Sequence, residues 1–168
     1  MTGSPCVFFS FDRSRDTARA DQVRAAWAAD FGGSGVGSWD VYHSPGVEQL
    51  PQSERDRLID LVLTSATVTL VLIGADTHQS VQVWHEVRRS LTAGKGLLGV
   101  YVDGIADRSG ATDSRGDNPF WAYRLQSWFR PIWAARVDVD PPVFDWIADD
   151  GSRNLGEWVR QAAAEARS

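Results

Sequence analysis

The sequence predicts an α/β fold, a five-stranded parallel sheet with helices on both faces. Three observations lead there. Short apolar runs alternate with stretches of helical periodicity along the chain. One run, VTLVLI at residues 68–73, is uncharged and rich in β-branched residues, as expected of a strand covered on both faces. Finally, 168 residues with 43% hydrophobic content suit a single domain with a full core.

Residues 6–11 form an apolar run that ends at Asp12, Arg13 and Ser14, a strand running into a turn. Residues 16–31 follow as a helix, with Ala20, Val23, Ala26, Trp27 and Phe31 at helical spacing and Gly32-Gly33 as the stop. Residues 39–42 are the second strand candidate. Residues 53–63 are helical, with Ser53 as the expected N-cap and Leu58, Leu61 and Val62 on one face. The 68–73 strand is expected at the centre of the sheet. After it come a helix at 79–93, strands at 97–102 and 143–146, and a closing helix at 154–166. Residues 103–142 break this rhythm as an aromatic-rich insertion. Forty structureless residues do not fit a small domain, so Phe120, Trp121, Tyr123, Trp128, Phe129 and Trp133 are expected to pack as satellite core.

Composition removes several function classes. A formal charge of -5, with basic residues spread along the chain, argues against a nucleic-acid partner, which demands a basic face. Cys6 is the single cysteine, and with three scattered histidines it offers no metal-ligand spacing, so no metal is expected. No apolar run reaches the roughly 18–20 residues of a membrane span, and the first residues lack the basic start and cleavage site of a secretory signal. The expectation is a cytoplasmic protein without a membrane partner. GGSGVG at 32–37 follows a helix and precedes a strand, the reverse of a dinucleotide-binding fingerprint, and reads as a loop.

In open α/β sheets ligands bind beyond the C-terminal ends of the strands. That rule nominates Ser10, Phe11, Asp12 and Arg13 after the first strand, Tyr42 and His43 after the second, and Gly74, Ala75, Asp76 and Thr77 after the third. The helix starting near Gln79 begins at the same rim. At about 100° per residue its apolar stripe is Val83, Trp84, Val87 and Leu91, with Glu86 on the border, half buried. On spacing alone, Glu86 reads as a solvated glutamate paired with Arg89 or Ser90. His85 points away from the core. No serine, histidine and aspartate arrangement suggests a hydrolase triad, and the acidic pair and lysine of a receiver domain are missing around Asp12 and Asp76.

Four blocks in series, VFFSFDRSRD, TSATVTLVLIGADTHQSVQVWHEVRRSLTAGKGLLGVYVDGIADRSG, GDNPF and FDWIADDGSRNLGEWV, resemble the TIR-like domain family of the Thoeris antiphage signalling protein ThsB. They cover about two thirds of the chain. The resemblance implies a flavodoxin-like TIR fold, residues 1–168 as one TIR-like domain, and cleavage of NAD at the nicotinamide–ribose bond after phage infection is sensed. A cyclic ADP-ribose isomer would then activate a separate effector. NAD is the substrate and no cofactor is implied; a phage-derived trigger protein and a homo-oligomer are the further partners. TIR enzymes carry their catalytic glutamate six residues after a serine in the helix following strand three, a pattern that Ser80 and Glu86 match. Val83 and Gln82 stand where relatives carry cysteine and tryptophan, which bears on the shape of the nicotinamide pocket.

One glutamate suffices for that chemistry, because nicotinamide leaves as a neutral base from a cationic precursor and needs no proton from a general acid. The carboxylate accepts ribose hydroxyls and steadies the oxocarbenium-like centre. On this reading Phe11 stacks on a ring, Ser10 and Thr77 bond ribose or phosphate, and Trp84 or Tyr42 lines the wall; plain packing is the alternative role for each. A non-catalytic TIR-like scaffold or nucleotide-signal receptor, acting by self-association, is the competing function.

Overall fold

The computed structural model describes residues 5–31, 46–121 and 140–166. Its elements are β1 (Val7–Ser10), α1 (Arg13–Phe31), a 3-10 turn at Val47–Gln49, α2 (Gln52–Ser65), β2 (Val68–Ile73), a second 3-10 turn at Thr77–Gln79, α3 (Val81–Thr92), β3 (Gly96–Tyr101), β4 (Val143–Asp145) and α4 (Gly151–Glu165). The four described strands lie in the order β1-β2-β3-β4, all parallel, with Ser10 opposite Val71 and Ile73 opposite Tyr101. This is the flavodoxin-like α/β architecture the sequence implies. The strand expected at 39–42, which would make five, lies outside the described residues, as does most of the aromatic half of the 103–142 insertion.

The pleat sorts side chains between two layers. Val7, Phe9, Leu70, Leu72, Leu98 and Val100 face α1 and α4, where they meet Ala20, Val23, Trp27, Leu155 and Val159. On the other face Phe8 packs with Ile59, Val62 and Leu63 of α2, while Val71, Ile73 and Leu97 pack with Val83 and Val87 of α3. Because side chains alternate along a strand, Ser10 shares its face with Phe8, and Thr69 with Val71. Both hydroxyls therefore point into the α2–α3 layer.

All four described helices start elsewhere than expected; α3 begins at Val81 because residues 77–79 form a 3-10 turn and Ser80 caps the helix. Helix α1 opens at Arg13 because the Asp12 carboxylate accepts the Ser14 backbone N–H at 2.9 Å and its carbonyl accepts that of Asp16 at 2.8 Å, so Asp12 caps the helix instead of standing in a turn. Helix α2 opens at Gln52: the Pro51 carbonyl accepts the N–H groups of Glu54 and Arg55, placing Ser53 in the first turn and not at the cap. Helix α4 begins at Gly151, after Asp150 in the left-handed region at φ 50°.

The first half of the insertion folds back over the C-terminal ends of the strands. Arg15 bonds both Asp76 and Asp113, and Arg19, 3% exposed, bonds Asp16, the Ile105 carbonyl and the Ala111 carbonyl. Arg115 bonds Asp145 and lies 4.2 Å over the Tyr101 ring. Gly116 lies so close to the β2 exit that a Cβ there would sit 2.2 Å from the Gly74 carbonyl oxygen. Phe120 is buried against β3 as expected, whereas Trp121 is exposed and not part of a satellite core.

Candidate active site

The site is built around a carboxylate inside the sheet–helix interface. Helix α3 starts at the β2 exit, with Ser80 as its N-cap, its hydroxyl accepting the Val83 N–H at 3.4 Å. Six residues on, Glu86 turns toward the sheet and is wholly buried. The helical wheel placed it at the border of the apolar stripe. It lies deeper because the strand positions it faces are hydroxyl-bearing: the Ser10 hydroxyl donates to Glu86 Oε2 at 2.5 Å. One turn earlier, the Gln82 side-chain amide donates to Oε1 at 2.7 Å. Two charge-assisted hydrogen bonds offset part of the cost of burying a carboxylate.

The pairing expected from spacing alone does not form. Arg89 instead bridges Asp56 at 2.8 Å and Asp60 at 2.6 Å, tying α3 to α2. Burial pushes the Asp56 carboxyl up, but hydrogen bonds from Arg89 and Gln52 outweigh it and hold Asp56 below the usual carboxylate range. Ser90 does reach Glu86, through the backbone: its hydroxyl donates to the Glu86 carbonyl at 2.8 Å and lies 2.7 Å from the Thr69 hydroxyl. Since the Ser90 proton points to that carbonyl, Thr69 is the donor to Ser90. Glu86 and Ser90, four residues apart on α3, thus meet Ser10 and Thr69 on neighbouring strands in a polar seam.

The remaining nominees divide. Ser10, Ser80, Trp84 and Glu86 gather around the first turns of α3. Trp84 lines a cleft of about 290 Å³ with His78, Gln79, Ser80, Val81 and His85. Phe11 is 2% exposed and belongs to the core on the α1–α4 side, so the packing role describes it and not an open stacking surface. Thr77 is 1% exposed; its hydroxyl accepts the Gly74 N–H at 2.8 Å and donates to the Leu72 carbonyl, closing the turn after β2. Tyr42 lies outside the described residues. His85 is partly buried and lines the clefts beside α3 instead of standing fully in solvent.

Sequence reasoning missed Gln82 as a partner of Glu86 and the Thr69–Ser90 contact. The four-residue spacing of Gln82 and Glu86 was the available signal for the first. Among the described residues, no group of three or more His, Cys, Asp or Glu side chains is placed to hold a metal ion, and no helix is long and apolar enough to cross a membrane.

The structure thus sets a buried carboxylate behind the C-terminal ends of β1 and β2, six residues after the serine that caps its helix. The family profile described as "Thoeris protein ThsB, TIR-like domain" matches residues 8–107, from β1 through the loop after β3. The chain belongs to this ThsB TIR-like family. A relative from Bacillus cereus (strain MSX-D12), named "Putative cyclic ADP-D-ribose synthase ThsB1", is 27% identical over 188 aligned residues, which cover 91% of this chain and 97% of the relative. The stretch matched by the ThsB profile contains Ser10, Gln82, Glu86 and both walls of the α2–α3 layer.

Proposed function

We propose that this protein cleaves NAD at the nicotinamide–ribose bond and releases the remainder as a cyclic ADP-ribose isomer. The observation that carries the reading is Glu86, a wholly buried carboxylate held through both oxygens at the rim where α/β folds bind ligands. The name of the Bacillus cereus relative supports the same chemistry.

In the reaction the ribose hydroxyls donate to the Glu86 carboxylate, displacing Gln82. The bond from C1′ to the nicotinamide nitrogen breaks and its electron pair leaves with the base. Positive charge develops at C1′, where the fixed negative charge of Glu86 stabilises it more than it stabilises the ground state. Capture of C1′ by a nucleophile on the adenosine half closes the ring and releases a proton; capture by water gives linear ADP-ribose. Ser10 is a positioning residue, holding Oε2 so that Oε1 faces the sugar. The protein acts in the cytoplasm as a single TIR-like domain, is switched on by a phage-derived trigger or by self-assembly, and signals to a separate effector through the diffusible product.

The test is to incubate purified protein with NAD, with and without lysate from phage-infected cells, and to identify the products by mass spectrometry. Nicotinamide and a species of the mass of cyclic ADP-ribose are expected from the wild type. Glu86→Gln is expected to lose roughly 10²–10³-fold or more in rate. One observation favours a binding-only scaffold: both Glu86 oxygens are already engaged. NAD or ADP-ribose bound without nicotinamide release under any condition would select that reading.

A further inference from the structure

The cleft between α2 and α3 is about 320 Å³, lined by Gln52, Arg55 and Ile59 from α2 and by Val81, Gln82 and His85 from α3. That volume is at the lower end of the range of small-molecule sites. Gln82 is both a wall of this cleft and the donor to Glu86 Oε1, so the cleft is one side chain away from the buried carboxylate. The two helices that wall it are tied together by Arg89, which bridges from α3 to Asp56 and Asp60 of α2.

Arg55 is the arginine in the lining of this cleft. Arg15, Arg19, Arg89 and Arg115 are each held by aspartates. Arg55 instead donates from Nη2 to the neutral Gln52 Oε1 at 2.6 Å, and its Nε is shut off from water with no hydrogen-bond partner among the described residues. A buried guanidinium N–H without an acceptor is costly, and the planar fork of arginine matches phosphate oxygens in shape and charge.

We propose that the α2–α3 cleft seats the diphosphate of a dinucleotide, with Arg55 as its charged contact. This rests on the reading of Glu86 as the group that meets the ribose. A sugar whose C1′ takes the Gln82 position beside Glu86 would carry its 5′ diphosphate into the cleft that Gln82 and Arg55 both line. Ile59 and Val81 give that space apolar flanks. The adjoining cleft, which shares Val81 and His85 and contains Trp84, extends the groove around the start of α3.

Isothermal titration calorimetry of the full chain with ADP-ribose tests this without turnover, alongside NAD kinetics. Arg55→Ala is expected to weaken ADP-ribose binding about tenfold or more and to raise KM for NAD while kcat stays within about threefold. Arg55→Lys should recover part of the affinity, and it keeps the test valid if the alanine variant folds poorly. Arg57→Ala, exposed on the same helix, should match the wild type, and Glu86→Gln should still bind ADP-ribose. Wild-type affinity in both Arg55 variants would overturn the proposal and leave the NAD reading standing. A wild-type protein that binds neither ADP-ribose nor NAD would overturn both.

Discussion

Glu86 lies among apolar side chains on its helix, yet its surroundings are polar. Ser10 donates to its carboxylate, and Ser10→Ala removes that donor while leaving the carboxylate buried. Hydrogen bonds to charged groups contribute about 1.5–3 kcal/mol, so this variant should lower kcat about tenfold or more, with a smaller effect on KM. A loss confined to thermal stability, with kcat unchanged, would show that Ser10 only packs. The chemical type of Glu86 and its place in the helix after the third predicted strand were legible in the sequence, through the spacing from Ser80. Its depth was not. A helical wheel reports direction relative to neighbours on one helix, and burial here depends on which strand positions lie opposite. Phe11 was nominated as a rim residue, but the alternation that sends Ser10 toward α3 sends Phe11 to the opposite layer.

At the scale of elements, the sheet and α3 are joined by apolar contacts interrupted by one polar seam. Thr69→Val deletes the donor to Ser90 and leaves the Ser90 oxygen buried without it, so it should destabilise the protein by about 1–2 kcal/mol, measured by denaturant unfolding. Adding Ser90→Ala should cost less than the sum of the single changes, because the orphaned oxygen is removed with its partner. The loop after β3 offers a second test. Gly116→Ala places a methyl 2.2 Å and 2.6 Å from the Gly74 and Ala75 carbonyl oxygens, which are backbone atoms that must move. A loss of about 1–3 kcal/mol is expected from such overpacking. The order of strands and helices could be read from periodicity because each element repeats at its own period. The loop could not, since its path is set by Arg15 and Arg19 meeting Asp113, and by Arg115 meeting Asp145, partners far away in the chain.

For the whole molecule, those aspartates predict how stability follows pH. Hydrogen bonds from Ser109, then from the Ala111 and Ser109 backbone, hold Asp107 below its ordinary value. Asp113 is lowered by the Ser114 N–H, against some burial and with help from Arg15. Asp145 is lowered despite burial, by the Ala148 N–H and Arg115. A carboxyl depressed in the folded state contributes stability that is present above its ordinary value of 3.8 and lost as pH falls through the folded value. Asp16 runs the other way: burial raises it against the pull of Arg19, so its contribution is greatest in acid and lost as pH rises. Asp56, held by Arg89 and Gln52, and Glu157, held by Arg160 and Gln161, are depressed as well. With these five depressed carboxyls against one raised, thermal stability should fall as pH drops below about 4, and amide exchange should quicken first across residues 103–117. Unchanged exchange there at acid pH would show that the aspartates do not fasten the loop. The reaction itself gives the most direct test of the whole account: nicotinamide release followed in real time by proton NMR, in wild type and Glu86→Gln at saturating NAD. The account predicts steady release from the triggered wild type and nearly none from the variant, with NAD still bound to both. Equal rates from the two proteins would contradict it.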